Sequence, residues 1–141
     1  MLKLRHHSLV VWQRADDLFI KLHKLTLQSL PAIERFEPSS QIRRAAYSVA
    51  ANIVEGHGRR HTADRLHFLN IAESSLAELS YCVHVASRLG YIDDQSRAEL
   101  ERDLSQVGAP LAGLIRSIRL KRTIIPPTAI VGALFACYWL S

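Results

Sequence analysis

Residues 41–56, QIRRAAYSVAANIVEG, decide the fold of this chain. Their apolar residues recur at the 3.6-residue spacing of a helix and form one stripe, which predicts an amphipathic helix. The stripe consists of Ile42, Ala45, Ala46, Val49 and Ile53. Small residues are frequent in the same segment, so a second helix can approach it closely. Gly56 is predicted to end the helix, because glycine readily adopts the left-handed conformation that follows a last helical turn.

A line of polar residues runs beside this apolar stripe. Their spacing of i, i+4, i+8 and i+11 stacks them along one side of the helix. They are Arg44, Ser48, Asn52 and Glu55. We interpret the line as structural, with Arg44 lying opposite Ser74 of an antiparallel helix and pairing there with Glu73 or Glu78. A binding site is the alternative interpretation.

The preceding segment predicts another amphipathic helix. Ser8 is the expected N-cap, and the helix is expected to end just before Pro31, which cannot continue it smoothly. Residues 32–40 are then a connection, in which Ser39 or Ser40 caps the next helix.

The third predicted helix begins at the cap Thr62 and ends before Gly90, and it carries two apolar lines. The first line contains Leu66, Leu69, Ala72, Leu76, Leu79 and Val83. The second line contains Phe68, Ile71, Ser75, Cys82, Val85 and Leu89. Because a helix that is apolar on two sides is buried on two sides, we expect the second line to face another subunit.

A fourth helix is predicted after the cap Asp93, with apolar residues in a heptad-like rhythm and a kink at Pro110. No segment shows the alternation of a strand. The sequence therefore predicts an all-α, antiparallel up-down-up-down four-helix bundle over residues 1–122. The apolar tail, residues 123–141, is too short after Pro127 to cross a membrane as a helix, and it either docks on the bundle or is disordered.

Composition limits the class of protein. The 141 residues are enough for one domain, and the two cysteines, Cys82 and Cys137, form neither a CxxC nor a disulfide framework. Residues 1–7 lack the apolar core of an export signal. We therefore expect a cytoplasmic protein with no membrane span.

Alternating helix direction brings three basic stretches to one end of the bundle: the N-terminus, the loop between the second and third helices, and the end of the fourth. We call this the basic end. With a net charge of +5, it fits a contact with a phosphate backbone. The residues predicted to contact nucleic acid are Arg59, Arg60, Arg65, Arg116, Arg119, Lys121 and Arg122. A solvated end that serves solubility alone is the alternative.

Catalytic and cofactor chemistry find no support in the motifs. The chain has no phosphate loop, GxGxxG, HExxH, EF-hand loop or GxSxG. The Glu-x-x-His pairs of a di-iron bundle are also missing. We therefore expect no enzyme activity, no cofactor and no metal site.

Several short motifs carry a resemblance to a known family. They are Trp12-x-x-Ala15, Pro31-x-x-Glu34, Gln41-x-x-Arg44-Ala45-x-x-Ser48, Asn52-Ile53-Val54-Glu55-Gly56 and Ala72-x-x-Ser75-Leu76-x-Glu78-Leu79. Together they resemble the four-helix bundle proteins encoded in intervening sequences of bacterial 23S rRNA genes. The resemblance implies an all-helical fold, a homo-oligomeric ring similar to a pentamer, and no catalytic residues. Accessory proteins of diversity-generating retroelements, which share that architecture, bind nucleic acid and a reverse transcriptase.

Two functional hypotheses follow. In the first, a non-enzymatic oligomer binds nucleic acid, RNA above all, through several basic ends presented together. In the second, the bundle is a scaffold or adaptor that binds a partner protein through the second apolar line of the third helix and has no role with nucleic acid.

Overall fold

A computed structural model describes residues 4–28 and 38–124 of the chain. After a 3-10 turn at Arg5–Ser8 come four helices: α1 (Val10–Gln28), α2 (Pro38–Gly58), α3 (Thr62–Arg88) and α4 (Asp94–Ile124). Each helix packs against its neighbours in sequence, and α4 returns to pack on α1. The described residues contain no strand. The predicted all-α four-helix bundle is therefore confirmed.

The apolar stripe of α2 lies in the core as predicted. All five of its members are buried, and Ile53 has no exposed surface. Around it pack fully buried side chains from the other three helices. The largest of these are Leu22, Leu69, Leu79, Leu100 and Leu111. Burial of about 100 Å² or more per large apolar side chain is the main force holding the four helices together.

Several predicted helix boundaries are wrong. Ser8 does not cap α1, since it belongs to the 3-10 turn and its hydroxyl donates to the Arg5 carbonyl. Neither Ser39 nor Ser40 caps α2, because the helix begins at Pro38, where a proline costs no hydrogen bond. Thr62 is the first residue of α3 and not its cap. Residues 29–37 and 125–141, which hold most of the predicted connection and tail, lie outside the described residues.

Gly56 does not end α2, which continues to Gly58. A Cβ atom at this position would lie 3.2 Å from the Arg65 carbonyl oxygen and 3.3 Å from side-chain carbons of Phe68 and Leu69. Glycine is therefore favoured at position 56 because α2 and α3 approach closely here, and not because the helix stops.

Gly90 ends α3 as predicted. Its φ is +73°, which is the left-handed region that glycine adopts without steric cost. The Tyr91 N–H donates to the Ala86 carbonyl and the Gly90 N–H donates to the Ser87 carbonyl, both at 3.0 Å. These two bonds form a Schellman motif, which satisfies carbonyls that the helix end would leave without donors.

Asp93 precedes α4 as the predicted cap, and its Oδ1 accepts a hydrogen bond from the Ser96 N–H at 2.7 Å. This backbone hydrogen bond, followed by one from the Ser96 side chain, lowers the pKa of Asp93. A carboxylate with a lowered pKa stabilises the fold above its unfolded pKa, and this contribution is lost as the pH falls through the folded pKa.

Asp93→Ser keeps a capping oxygen but removes the ionisable group. We therefore expect its melting temperature to fall less than that of wild type when the pH is lowered from about 5 to about 3. Asp93→Ala is the matched variant without a cap and should melt lower than Asp93→Ser at both pH values. Thermal unfolding followed by circular dichroism measures all three proteins. An equal loss on acidification in wild type and Asp93→Ser would remove Asp93 from the acid response.

Pro110 lies inside α4, and the helix continues through it to Ile124. Because proline has no N–H, the Gln106 carbonyl lacks its usual helical donor. Arg14 of α1 supplies one, since its Nη1 donates to the Gln106 oxygen at 3.0 Å. Nearby, Lys21 Nζ donates to Asp103 at 2.7 Å, and this hydrogen bond raises the pKa of Lys21. Polar contacts therefore join α1 to α4 at the proline.

Candidate nucleic-acid interface

The structure brings the predicted basic stretches to one end of the bundle. The Arg59 guanidinium lies over the Phe68 ring, 4.8 Å from its centre, at the start of α3. Arg119 of α4 donates from Nη2 to Asn70 Oδ1 at 3.1 Å, only two residues further along α3. Residues from α2, α3 and α4 that are far apart in sequence therefore meet at the same end.

Within this end the charges fall into two groups. The first surrounds a cleft of about 600 Å³ between the 3-10 turn and the α2–α3 connection. We call it the cationic cleft, and its lining residues are Leu4, Arg5, His6, Val54, His57, Gly58, Arg59, Arg60 and Arg65. The second group is on α4, where Arg116, Arg119 and Lys121 are exposed. The side chain of Arg122 lies outside the described residues.

Two contacts fix Arg59 in place. Its guanidinium pairs with Glu55, four residues earlier on α2, and stacks on Phe68. The pair with Glu55 offsets part of its charge. A cation over an aromatic face is attracted by the negative π surface, so Phe68 also restricts the side chain. The sequence patterns did not identify Phe68 as part of this end, although it follows Arg65 by about one helical turn.

Arg60 and Arg65 differ from Arg59 in their partners. Arg60 is exposed and makes no ion pair with any described residue. Arg65 is half-buried, and its Nε is a buried donor without a hydrogen-bond acceptor in the described part of the protein. Nε has almost no exposed surface, so Arg65 contributes to the cleft through its positive charge and the accessible part of its half-buried side chain.

The positive charge around the cleft acts on His57. Burial lowers the pKa of His57 first, and the nearby cations Arg65 and Arg5, together with His6, lower it further. All three electrostatic contributions come from basic side chains. The cleft therefore has a positive potential that favours a bound anion.

The opposite end of the bundle carries acidic residues that are paired locally. Arg97 contacts Asp94 at 3.7 Å and Glu101 at 3.0 Å within α4. The charges of this end are therefore partly neutralised.

The predicted polar line of α2 holds α2 against α3 in a different register. Ser48 Oγ and Ser75 Oγ are hydrogen-bonded at 2.8 Å, and Asn52 Nδ2 donates to Ser48 Oγ at 3.1 Å. The register predicted from Arg44 and Ser74 would instead place Ser48 near Asn70. It is wrong because Gly56 continues the helix, so the chain reverses direction further along.

The predicted pairing of Arg44 with Glu73 or Glu78 is also wrong. In the described residues no ion pair joins them, and all three side chains are exposed. Glu55 pairs with Arg59 instead. The shifted register explains the difference, since the hydroxyl pair at Ser48 fixes the facing residues and leaves Arg44 on the outside.

The second apolar line of α3 is only half-covered. Phe68, Ile71, Cys82 and Val85 have intermediate exposure, Leu89 is exposed, and Ser75 is buried against Ser48. Burial is the main reason why the pKa of the Cys82 thiol is raised. Nearby on the same helix, Tyr81 is 68% exposed. The first line of α3 therefore lies in the core, except for the partly exposed Leu76. The second line remains partly accessible.

Residues 4–28 and 38–124 form neither a metal site nor a membrane span. No group of three or more His, Cys, Asp or Glu side chains there is placed to hold a metal ion. No helix in those ranges is long and apolar enough to cross a bilayer.

Comparisons with known proteins agree with this architecture. A family model described as 23S rRNA-intervening sequence protein matches residues 7–113. A solved structure from Bacteroides thetaiotaomicron VPI-5482, described as a protein with unknown function from the S23 ribosomal protein family, is 25% identical to this chain. The likeness covers 76% of this chain and 96% of that one, with a TM-score of 0.71. No curated protein matches the chain.

Proposed function

Because the chain belongs to the 23S rRNA-intervening sequence protein family, we propose that it is a non-enzymatic, homo-oligomeric bundle that binds RNA through its basic end. The family name refers to sequences within 23S rRNA genes, so the support for RNA binding is the charge of the basic end. We place this activity in the cytoplasm, where ribosomal RNA is found.

The observation that carries the proposal is the convergence of cations from separate helices at one end. Arg59 and Arg119 contact Phe68 and Asn70, which are two residues apart on α3. Of the arginines at this end, Arg60 makes no ion pair with a described residue. A phosphate backbone can replace water around such groups and release its condensed counterions, which favours binding without contacts to bases.

Oligomerisation strengthens this proposal. A single basic end offers only a few phosphate contacts, which give weak binding at physiological salt. Several copies held together bind one RNA molecule with a much higher overall affinity, because each further contact is intramolecular. The half-covered second apolar line of α3 is the surface we propose for contact between subunits, in a ring similar to a pentamer.

A protein-interaction scaffold is the second candidate function. The observation that favours it is the same half-covered line, together with exposed Tyr81 on α3 and Tyr47 on α2, which is 62% exposed. Exposed aromatic side chains are common in protein interfaces. In this alternative, the accessible line of α3 receives a partner protein and the basic end serves solubility.

Binding to RNA at increasing salt tests the first candidate. After nuclease treatment, the protein is expected to bind a structured RNA and to lose about 100-fold in affinity between about 50 mM and about 200 mM salt. Fluorescence anisotropy measures the affinity. Light scattering with absorbance at 260 and 280 nm measures the mass and any nucleic acid in the same peak. If the protein is an oligomer but binds no RNA even at low salt, the result would favour the protein-interaction scaffold.

A further inference from the structure

The cationic cleft differs from the exposed α4 group in being concave. Its basic groups come from three directions: Arg5 and His6 from the 3-10 turn, His57 and Arg59 from α2 and its end, and Arg65 from α3. No carboxylate lines it among the described residues. Glu55, the nearest acid on α2, pairs with Arg59. The walls therefore place basic groups from three elements around one concave volume.

One of these donors has no partner within the described protein. Arg65 Nε is buried and unpaired, while the Arg65 charge helps to lower the pKa of His57 across the cleft. Arg60 makes no ion pair at its rim. An anion with several acceptor atoms would accept hydrogen bonds from the accessible basic groups and offset the repulsion between the cations.

We infer that the cationic cleft is a phosphate-binding pocket, which receives a terminal phosphate in preference to the internal phosphodiesters of a strand. The inference rests on the proposed RNA binding for its biological ligand. A terminal phosphate has three free oxygens and a charge approaching −2 at neutral pH, whereas a phosphodiester has two free oxygens and one charge. Basic groups that surround the cleft on three sides match a terminal phosphate. The exposed basic residues of α4 suit the phosphodiesters of a strand.

Histidine protonation gives a readout at the cleft, provided that the ionic strength is held constant. A bound anion opposes the effect of Arg65, Arg5 and His6 on His57, and therefore raises its pKa. By linkage, binding then takes up a proton and becomes tighter as the pH falls through the range in which His57 titrates. Sulfate is a suitable probe for this arm because its charge stays constant over that range.

The first arm of the test uses small anions on the full chain. Titration of the imidazole signals by NMR is expected to give a higher pKa for His57 in saturating sulfate than in chloride of the same ionic strength. Inorganic phosphate at pH 7 should shift the same signals. Arg65→Gln and Arg60→Gln should each lower the affinity for inorganic phosphate by about tenfold, whereas Arg116→Gln on α4 should leave it unchanged. Unchanged His57 signals in both anions would overturn the inference.

The second arm compares two RNAs of one sequence, labelled at the 3′ end, that carry either a 5′-phosphate or a 5′-hydroxyl. Wild type is expected to bind the phosphorylated RNA about tenfold more tightly at 0.1 M salt. Arg60→Gln and Arg65→Gln should each abolish the preference for the 5′-phosphate. Arg116→Gln should lower the affinity for both RNAs by the same factor. Equal affinities in wild type would overturn the preference and leave the proposed RNA binding intact. If the protein binds the small anions but neither RNA, the proposed function is refuted and the phosphate-binding pocket stands.

Discussion

Replacement of Arg59, Arg60 and Arg65 together by glutamine is expected to lower the affinity for RNA by about 100-fold at 0.1 M salt. Each lost phosphate contact removes the release of about one counterion. The slope of log affinity against log salt should therefore fall by about 2 to 3, depending on whether the contacted RNA is single-stranded or paired. Glutamine keeps the first three carbons of the arginine side chain and a polar end, and Arg59 and Arg60 are exposed, so the fold should persist. Anisotropy at four or more salt concentrations gives both quantities.

The matched control removes the same charge far from the basic end. Lys24, Arg88 and Arg102 are exposed and make no ion pair with described residues. Changing these three to glutamine lowers the net charge of +5 equally. Binding should then fall only slightly, with the slope preserved. Equal slopes in wild type and the Arg59, Arg60, Arg65 variant would show that the basic end does not contact phosphates.

Gly56→Val is expected to destabilise the fold by about 2 to 3 kcal/mol, because the added carbons have no room between α2 and α3. A Cβ atom alone would already lie 3.2 Å from the Arg65 carbonyl oxygen and 3.3 Å from the Phe68 Cβ. Both atoms are fixed by the α3 backbone, so relief requires the helices to separate. Separation would also displace Arg65 in the cationic cleft. Urea unfolding measures the free energy.

The control for this variant is Gly113→Val on α4. Gly113 is exposed, and an added Cβ would meet no atom within 4 Å. Valine has a somewhat better helix propensity than glycine, so the change should fall within about 0.5 kcal/mol of wild type and favour stability. If both valine variants unfold at the same urea concentration, close packing at Gly56 does not limit the contact between α2 and α3.

Local sequence determined the helices of this protein. The 3.6-residue stripe of α2 predicted its buried face because periodicity is a property of one segment alone. Gly90 and Asp93 predicted the end of α3 and the start of α4, since their effect depends on the adjacent backbone. The lengths of the helices and their short connections predicted an antiparallel bundle. That topology places Arg59 and Arg119 at the same end, so their proximity could also be expected.

Tertiary structure decided how those helices are offset and rotated. It made Gly56 a packing residue, paired Ser48 with Ser75, left Arg44 exposed, and placed Arg14 on the carbonyl that Pro110 leaves without a donor. It also formed the cationic cleft by bringing the 3-10 turn against the α2–α3 connection. Side chains far apart in sequence meet only when the whole core packs. A one-turn shift along a helix axis keeps the apolar stripe facing the core but alters every contact between helices.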